Sequence, residues 1–280
     1  MEFIEILKVF LLGIIEGITE WLPVSSTGHI LLFDELFPLN AREEFKNVFL
    51  YVVQLGAILA VLLLFWKKLF PFSLSKSTTE NKKETFTIVT NKETLTLWIK
   101  IIVACVPAAV IGLIFEIPDN PLLIAIALIF YGVIFILIEG KNANRVFKTT
   151  TTNEITYKHA LIIGLFQVLA IIPGTSRSGI TILAALLIGI SRPAGAEFTF
   201  FLAVPVMIGA SFIKTLKFLM DFVGFTSAEL GYLFIGTFTA FTVSLLVIKF
   251  LMDFVKKHDF KIFGWYRIAL GALVLLSIAI

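Results

Sequence analysis

Charge and cysteine are what this sequence is short of. Only 15% of its 280 residues are charged, against roughly 25% in a soluble domain. A single cysteine, Cys105, stands inside an apolar run; no disulfide within the chain can form, and it reads as a small core residue. No His/Cys spacing suits a structural metal, and neither a P-loop nor a Gly-rich dinucleotide turn is present. The net charge of +3 comes without a Lys/Arg-rich tract, which gives no reason to invoke nucleic acid. The first apolar stretch carries Glu16 and Glu20 and has no small-residue cleavage site after a basic start, so no cleavable signal is expected.

What is abundant is apolar surface. Hydrophobic residues make up 58% of the chain, Phe alone contributes 29, and the mean hydropathy is +0.98. One soluble core could not hide this much; a lipid solvent explains it. Six runs are near the length needed to span a bilayer: 47–66, 97–115, 121–138, 194–213, 230–252 and 263–280. Two further segments, 6–37 and 159–190, are apolar but interrupted by WLPVSSTGH at 21–29 and IPGTSRSG at 172–179. Pro, Gly, Ser and Thr stop helices there and make turns. Each arm beside a break is too short to span alone, which predicts a re-entrant hairpin whose irregular backbone is buried in protein or lines a wet cavity. The expected fold is an all-α membrane protein, one domain over 1–280, with six transmembrane helices and two re-entrant helical hairpins.

Lys and Arg counts orient it. Loops 67–96, 139–158 and 253–262 share one side and hold thirteen basic residues; loops 38–46, 116–120 and 214–229 hold four. The basic side is expected in the cytoplasm, where Trp66, Trp98 and Trp265 form an aromatic belt, and both termini lie outside. Loop 67–96 is polar and Lys/Thr-rich, and no chemistry is assigned to it. Sliding the chain by 151 residues lays 13–32 over 164–183: Gly13 meets Gly164, Glu16 meets Gln167, Ser25 meets Ser176, Thr27 meets Ser178 and Gly28 meets Gly179. Three spans follow each break. Three is odd, so the copies, about 1–140 and 155–280, are expected with inverted topology, and such repeats place their working site where the broken helices meet.

The first break brings Glu16 and Glu20, one helical turn apart, close to Ser25, Ser26, Thr27 and His29. Two carboxylates in a membrane repel unless a cation, a shared proton or a basic group intervenes. The second break carries Arg177 among Thr175, Ser176 and Ser178. An unpaired cation there needs an anion, either Glu16/Glu20 or a ligand. Hydroxyls before a helix start read as N-caps; capping alone accounts for them but not for Arg177. Two helix N-termini aimed at mid-depth suit phosphate. His159 and His258 fall at span ends, and Gln54 and Glu197 read as polar groups supporting the site or joining helices.

EGITEWLPVSSTGH (16–29), followed by PGTSRSG (173–179) and SRPAGAEFTFFLAVP (191–205), resembles the undecaprenyl-diphosphate phosphatases, the bacitracin-resistance family of bacteria. The resemblance runs over nearly the whole chain, with 67–96 the least typical part. It implies a multi-pass enzyme of the bacterial plasma membrane that removes the terminal phosphate of a polyprenyl diphosphate and returns the lipid carrier to peptidoglycan synthesis. It carries over Glu16, Glu20, Ser25, Ser26, Thr27 and His29, and Thr175, Ser176, Arg177 and Ser178. Ser26 is expected as nucleophile or its positioner, His29 as proton acceptor or attacking group, and Arg177 as phosphate clamp. Glu16 and Glu20 would orient His29 or hold Mg2+ or Ca2+ against the diphosphate. The site is expected to open to the outer face, and a homodimer is left open. Two rivals stand beside this reading. One is a transporter or flippase of the carrier lipid, built on the same anatomy. The other is the type 2 phosphatidic-acid phosphatases, whose His shortly after Ser-Arg is missing here: after Arg177 the next is His258.

Overall fold

The computed structural model describes residues 2–78, 84–115, 117–221 and 224–279, with the backbone alone for 73–78 and 84–89. Residues 79–83 of loop 67–96, Glu116 of loop 116–120, residues 222 and 223 of loop 214–229, and Ile280 at the end of the last span lie outside that description. The first broken segment forms α1 (Phe3–Thr19) and α2 (Ser26–Leu36), followed by α3 (Glu43–Leu64) and the short α4 (Trp66–Leu69). Strands β1 (Phe72–Thr78) and β2 (Glu84–Thr90) pair antiparallel. Then come α5 (Lys92–Ile114) and α6 (Pro121–Lys141), the second broken segment as α7 (Tyr157–Gln167) and α8 (Arg177–Leu187), and finally α9 (Arg192–Asp221), α10 (Ser227–Phe254) and α11 (Lys261–Ala279). Helices α3, α5, α6, α9, α10 and α11 are each long and apolar enough to cross a membrane. The chain is a multi-pass membrane protein.

Helix starts follow local chemistry. The Asn91 side chain accepts the backbone N–H of Glu93 at 3.0 Å and caps α5. Asn120 caps α6 and Pro121 takes the first turn, where a missing N–H costs nothing. Thr226 and Glu229 close a capping box on α10.

The fold departs from expectation in two places. Within loop 67–96, FSLSKST has serine at every second position and ETFTIVT is rich in Thr, Ile and Val, which favour strands, and the two pair antiparallel. And α9 runs past the expected end of its span to Asp221, taking Lys214 and Lys217 into the helix. Its apolar spacing continues through Phe218, which is buried against Phe225 with ring centroids 4.6 Å apart.

The packing has a pattern. Helix α1 lies on α10 and α7 lies on α5; α2 touches α11 and α6, and α8 touches α6; α6 pairs with α11, and α3 with both α9 and α10. Backbones come close where side chains vanish: a Cβ on Gly56 would sit 2.1 Å from the Thr237 carbonyl oxygen, so α3 and α10 meet at that point. Trp21, Phe198, Phe200 and Phe201 fill the interior, while Phe234, Phe238 and Leu113 point outward, as lipid-facing residues do.

Candidate active site

The two breaks carry the only non-glycine residues with positive φ among the described residues: Ser25 at 73° and Ser176 at 68°. Side chains avoid this region, and a residue held in it costs on the order of 1–3 kcal/mol. Both serines stand immediately before a helix, at the positions matched by the 151-residue shift. They differ in use. The Ser176 hydroxyl caps α8, accepting the Gly179 N–H at 3.1 Å, and lies 3.2 Å from Ser178 Oγ. The Ser25 hydroxyl is buried with no hydrogen-bond partner.

The breaks meet. Arg177, at the first turn of α8, donates through Nη2 to Glu20 Oε1 at 2.8 Å and through Nη1 to the Thr199 carbonyl at 3.1 Å. Ser26 Oγ donates to the other oxygen of Glu20 at 3.5 Å. Ser178 Oγ donates to the Leu22 carbonyl at 3.3 Å. Arg177 and Glu20 are nearly enclosed, at 12% and 9% side-chain exposure. A buried ion pair has a low-dielectric attraction that scarcely repays the loss of water, so its presence points to use more than to stability. Glu16 is fully buried with both carboxylate oxygens lacking a hydrogen-bond partner, and the polar groups that act on it are Glu20, Gln54 and Arg177. Thr175 Oγ1 and Arg177 Nε are buried donors without a partner. Groups of this kind are costly to leave unsatisfied; here they converge on one cluster.

His29 stands apart from the carboxylates. Its Nδ1 is 2.7 Å from the Ser25 carbonyl and its Nε2 is 2.7 Å from the Tyr266 hydroxyl. The imidazole is therefore oriented by Ser25 and Tyr266; of the two roles the sequence leaves to Glu16 and Glu20, orienting His29 or holding a cation, the hydrogen bonds do not show the first. Thr27 is half-buried on α2 and makes no hydrogen bond with the other site residues. Glu197 is committed to Lys68 at 2.7 Å and to Thr152 at 3.1 Å, Arg192 to Glu139 and Glu139 to the Phe260 N–H, all away from the cluster. His159 and His258 stay at helix ends. A polar cavity of about 330 Å3 lies beside Glu197. Lys67, Lys68, Glu93 and Glu197 all line it, so it has no net charge with which to draw a phosphate.

The family model described as bacitracin resistance protein BacA matches residues 9–273. The chain belongs to this family. An undecaprenyl-diphosphatase of Enterococcus faecalis is 59% identical to it over 100% of this chain and 99% of the relative. Members of that name from Lachnoclostridium phytofermentans and Clostridium acetobutylicum are 54% and 52% identical, each over 98% of this chain and at least 97% of their own length.

In this family member two residues of the arrangement escaped the sequence reading, and both lie on α11. Arg267 is fully buried and ties the turns together: Nη1 donates to the Pro23 carbonyl at 3.3 Å, and Nη2 to the carbonyls of Gly174 and Thr175, each at 2.9 Å. Its guanidinium also lies over the Tyr131 ring, 5.8 Å from the centroid. Tyr266, the residue before it, holds His29. A charge inside an apolar span was the available signal for Arg267; Tyr266 offered none.

Proposed function

We propose that the chain hydrolyses undecaprenyl diphosphate to undecaprenyl monophosphate and inorganic phosphate, returning the carrier to peptidoglycan synthesis and so conferring bacitracin resistance. The observation that carries this is the Glu20–Arg177 contact, with Ser26 on the same carboxylate, at the start of two helices whose free N–H groups suit phosphate. The names of the relatives favour hydrolysis over transport.

The terminal phosphate enters between the breaks. Arg177 turns from Glu20 to the phosphoryl oxygens, and its unused Nε–H supplies a further donor. The hydroxyls of Ser25 and Thr175, also unused, suit the same role, as do the N-terminal N–H groups of α8 beside Ser176 and Ser178; Thr27, in the first turn of α2, is assigned to the phosphate with them. Ser26 Oγ attacks the terminal phosphorus and passes its proton to Glu20. The bond to the bridging oxygen breaks and the prenyl monophosphate leaves. Water then attacks the phosphoserine, releasing inorganic phosphate and restoring Ser26. His29 accepts the proton of that water. Arg177 offsets charge moving to the bridging oxygen. Two carboxylates beside a diphosphate suit a divalent cation, since Mg2+ is typically held by one or two carboxylates plus substrate phosphates. Glu16 and Glu20 would hold Mg2+ or Ca2+, and the ion would supply neutralisation of phosphate charge.

We read the two broken segments as re-entrant hairpins and the halves 1–140 and 155–280 as copies of inverted topology. Matched backbone strain at Ser25 and Ser176 supports this, as does the α1–α10 contact mirrored by α7–α5. The site then opens to the outer face of the plasma membrane.

Phosphate release from farnesyl diphosphate in detergent tests the reading. Wild type releases phosphate, Arg177→Ala and Ser26→Ala fall by about a hundredfold or more, and chelator reduces the wild-type rate. Folded wild type releasing none would remove the hydrolase reading and leave transport to be measured.

A further inference from the structure

The Ser25 carbonyl can only accept a hydrogen bond, so His29 Nδ1, 2.7 Å away, carries the proton. In a neutral ring Nε2 is then the acceptor, and the Tyr266 O–H, 2.7 Å from it, is the donor. The rings also stack, with centroids 5.6 Å apart and an interplanar angle of 12°. Two hydrogen bonds and a stack leave the imidazole one orientation and one tautomer.

We propose that Tyr266 is a positioning residue for the hydrolysis: with the Ser25 carbonyl fixing the Nδ1–H form, it holds the His29 ring in one orientation, with a basic Nε2 ready to take a proton when substrate or water displaces the phenol. This rests on the phosphatase reading above. The placement of Tyr266 is built in, because the next residue, Arg267, binds backbone carbonyls of both breaks. The segment that fixes the two turns relative to one another thus also sets the distance from the phenol to His29. No other described side chain donates to Nε2.

Tyr266→Phe keeps the stack and removes the donor. It is expected to lower kcat about tenfold or more with KM nearly unchanged, while thermal stability stays near wild type. In the His29→Ala background the same substitution is expected to change nothing further, because its effect runs through the imidazole. The chain has three histidines, so the His29 signals in nitrogen-15 histidine spectra are assigned by difference against His29→Ala. Wild type is expected to show an unprotonated Nε2 whose shift reports the bond to the phenol, and Tyr266→Phe the same tautomer with that shift lost. Additive losses in the double variant, or a protonated Nε2 in wild type, would overturn the proposal. The spectra need no turnover, so an inactive wild type sinks the hydrolase reading, while they still decide whether Tyr266 holds the imidazole.

Discussion

Ser25 shows what a single residue contributes here. Its backbone is held at φ 73° and ψ 105°, its side chain makes no cap bond, and its hydroxyl is buried without a partner. A residue kept for stability would be doing none of those things. Replacing it with glycine removes the strain, at a cost of up to about 1 kcal/mol in unfolded-state entropy. Ser25→Gly is therefore expected to melt at or above the wild-type temperature in detergent, yet to hydrolyse at least about tenfold more slowly. A lower melting temperature with unchanged activity would assign Ser25 to folding. Polar residues of this kind were legible in the sequence because Glu16, Ser25, Ser26 and Arg177 stand in apolar surroundings that give them no solvent. Tyr266 was not legible, since an aromatic in an apolar span looks the same whether it faces lipid or a histidine 237 residues earlier.

At the scale of elements, the α1–α2 turn is tied to α8 by the buried Glu20–Arg177 ion pair, across 157 residues of chain, and by the Ser178 hydroxyl on the Leu22 carbonyl. Removing either partner leaves the other charge buried and uncompensated, which costs about 3–5 kcal/mol. Glu20→Gln and Arg177→Met are each expected to lower the melting temperature, whereas the double variant recovers part of the loss, although all three are inactive. A double variant less stable than either single would show that the pair stabilises the fold on its own account. The breaks themselves could be read from Pro, Gly, Ser and Thr. Where their arms pointed could not, because it depends on Arg267 gripping three backbone carbonyls, and backbone acceptors leave no trace in a sequence. The strand pair in loop 67–96 was signalled by the β-branched residues of ETFTIVT but masked by the loop's polar character.

Over the whole molecule, orientation is the property most open to direct test. With Cys105 replaced by alanine, a cysteine at exposed Asn40 is expected to react with a membrane-impermeant maleimide in intact cells, and one at exposed Asn144 only after lysis. The reverse pattern would turn the molecule over and put the site on the cytoplasmic face. The six spans were legible to within a few residues at most ends, since length and hydropathy decide them; the overrun of α9 was not, because nothing in a hydropathy window marks where a helix leaves the lipid. The Arg267 clasp also bears on how such a protein can change over generations. It reads peptide groups and ignores side chains at Pro23, Gly174 and Thr175, so its hold depends on the path of the two turns and not on what they display. A lineage can therefore exchange the groups offered to the headgroup one at a time, exploring new lipid phosphates, while the frame that aligns them is inherited intact.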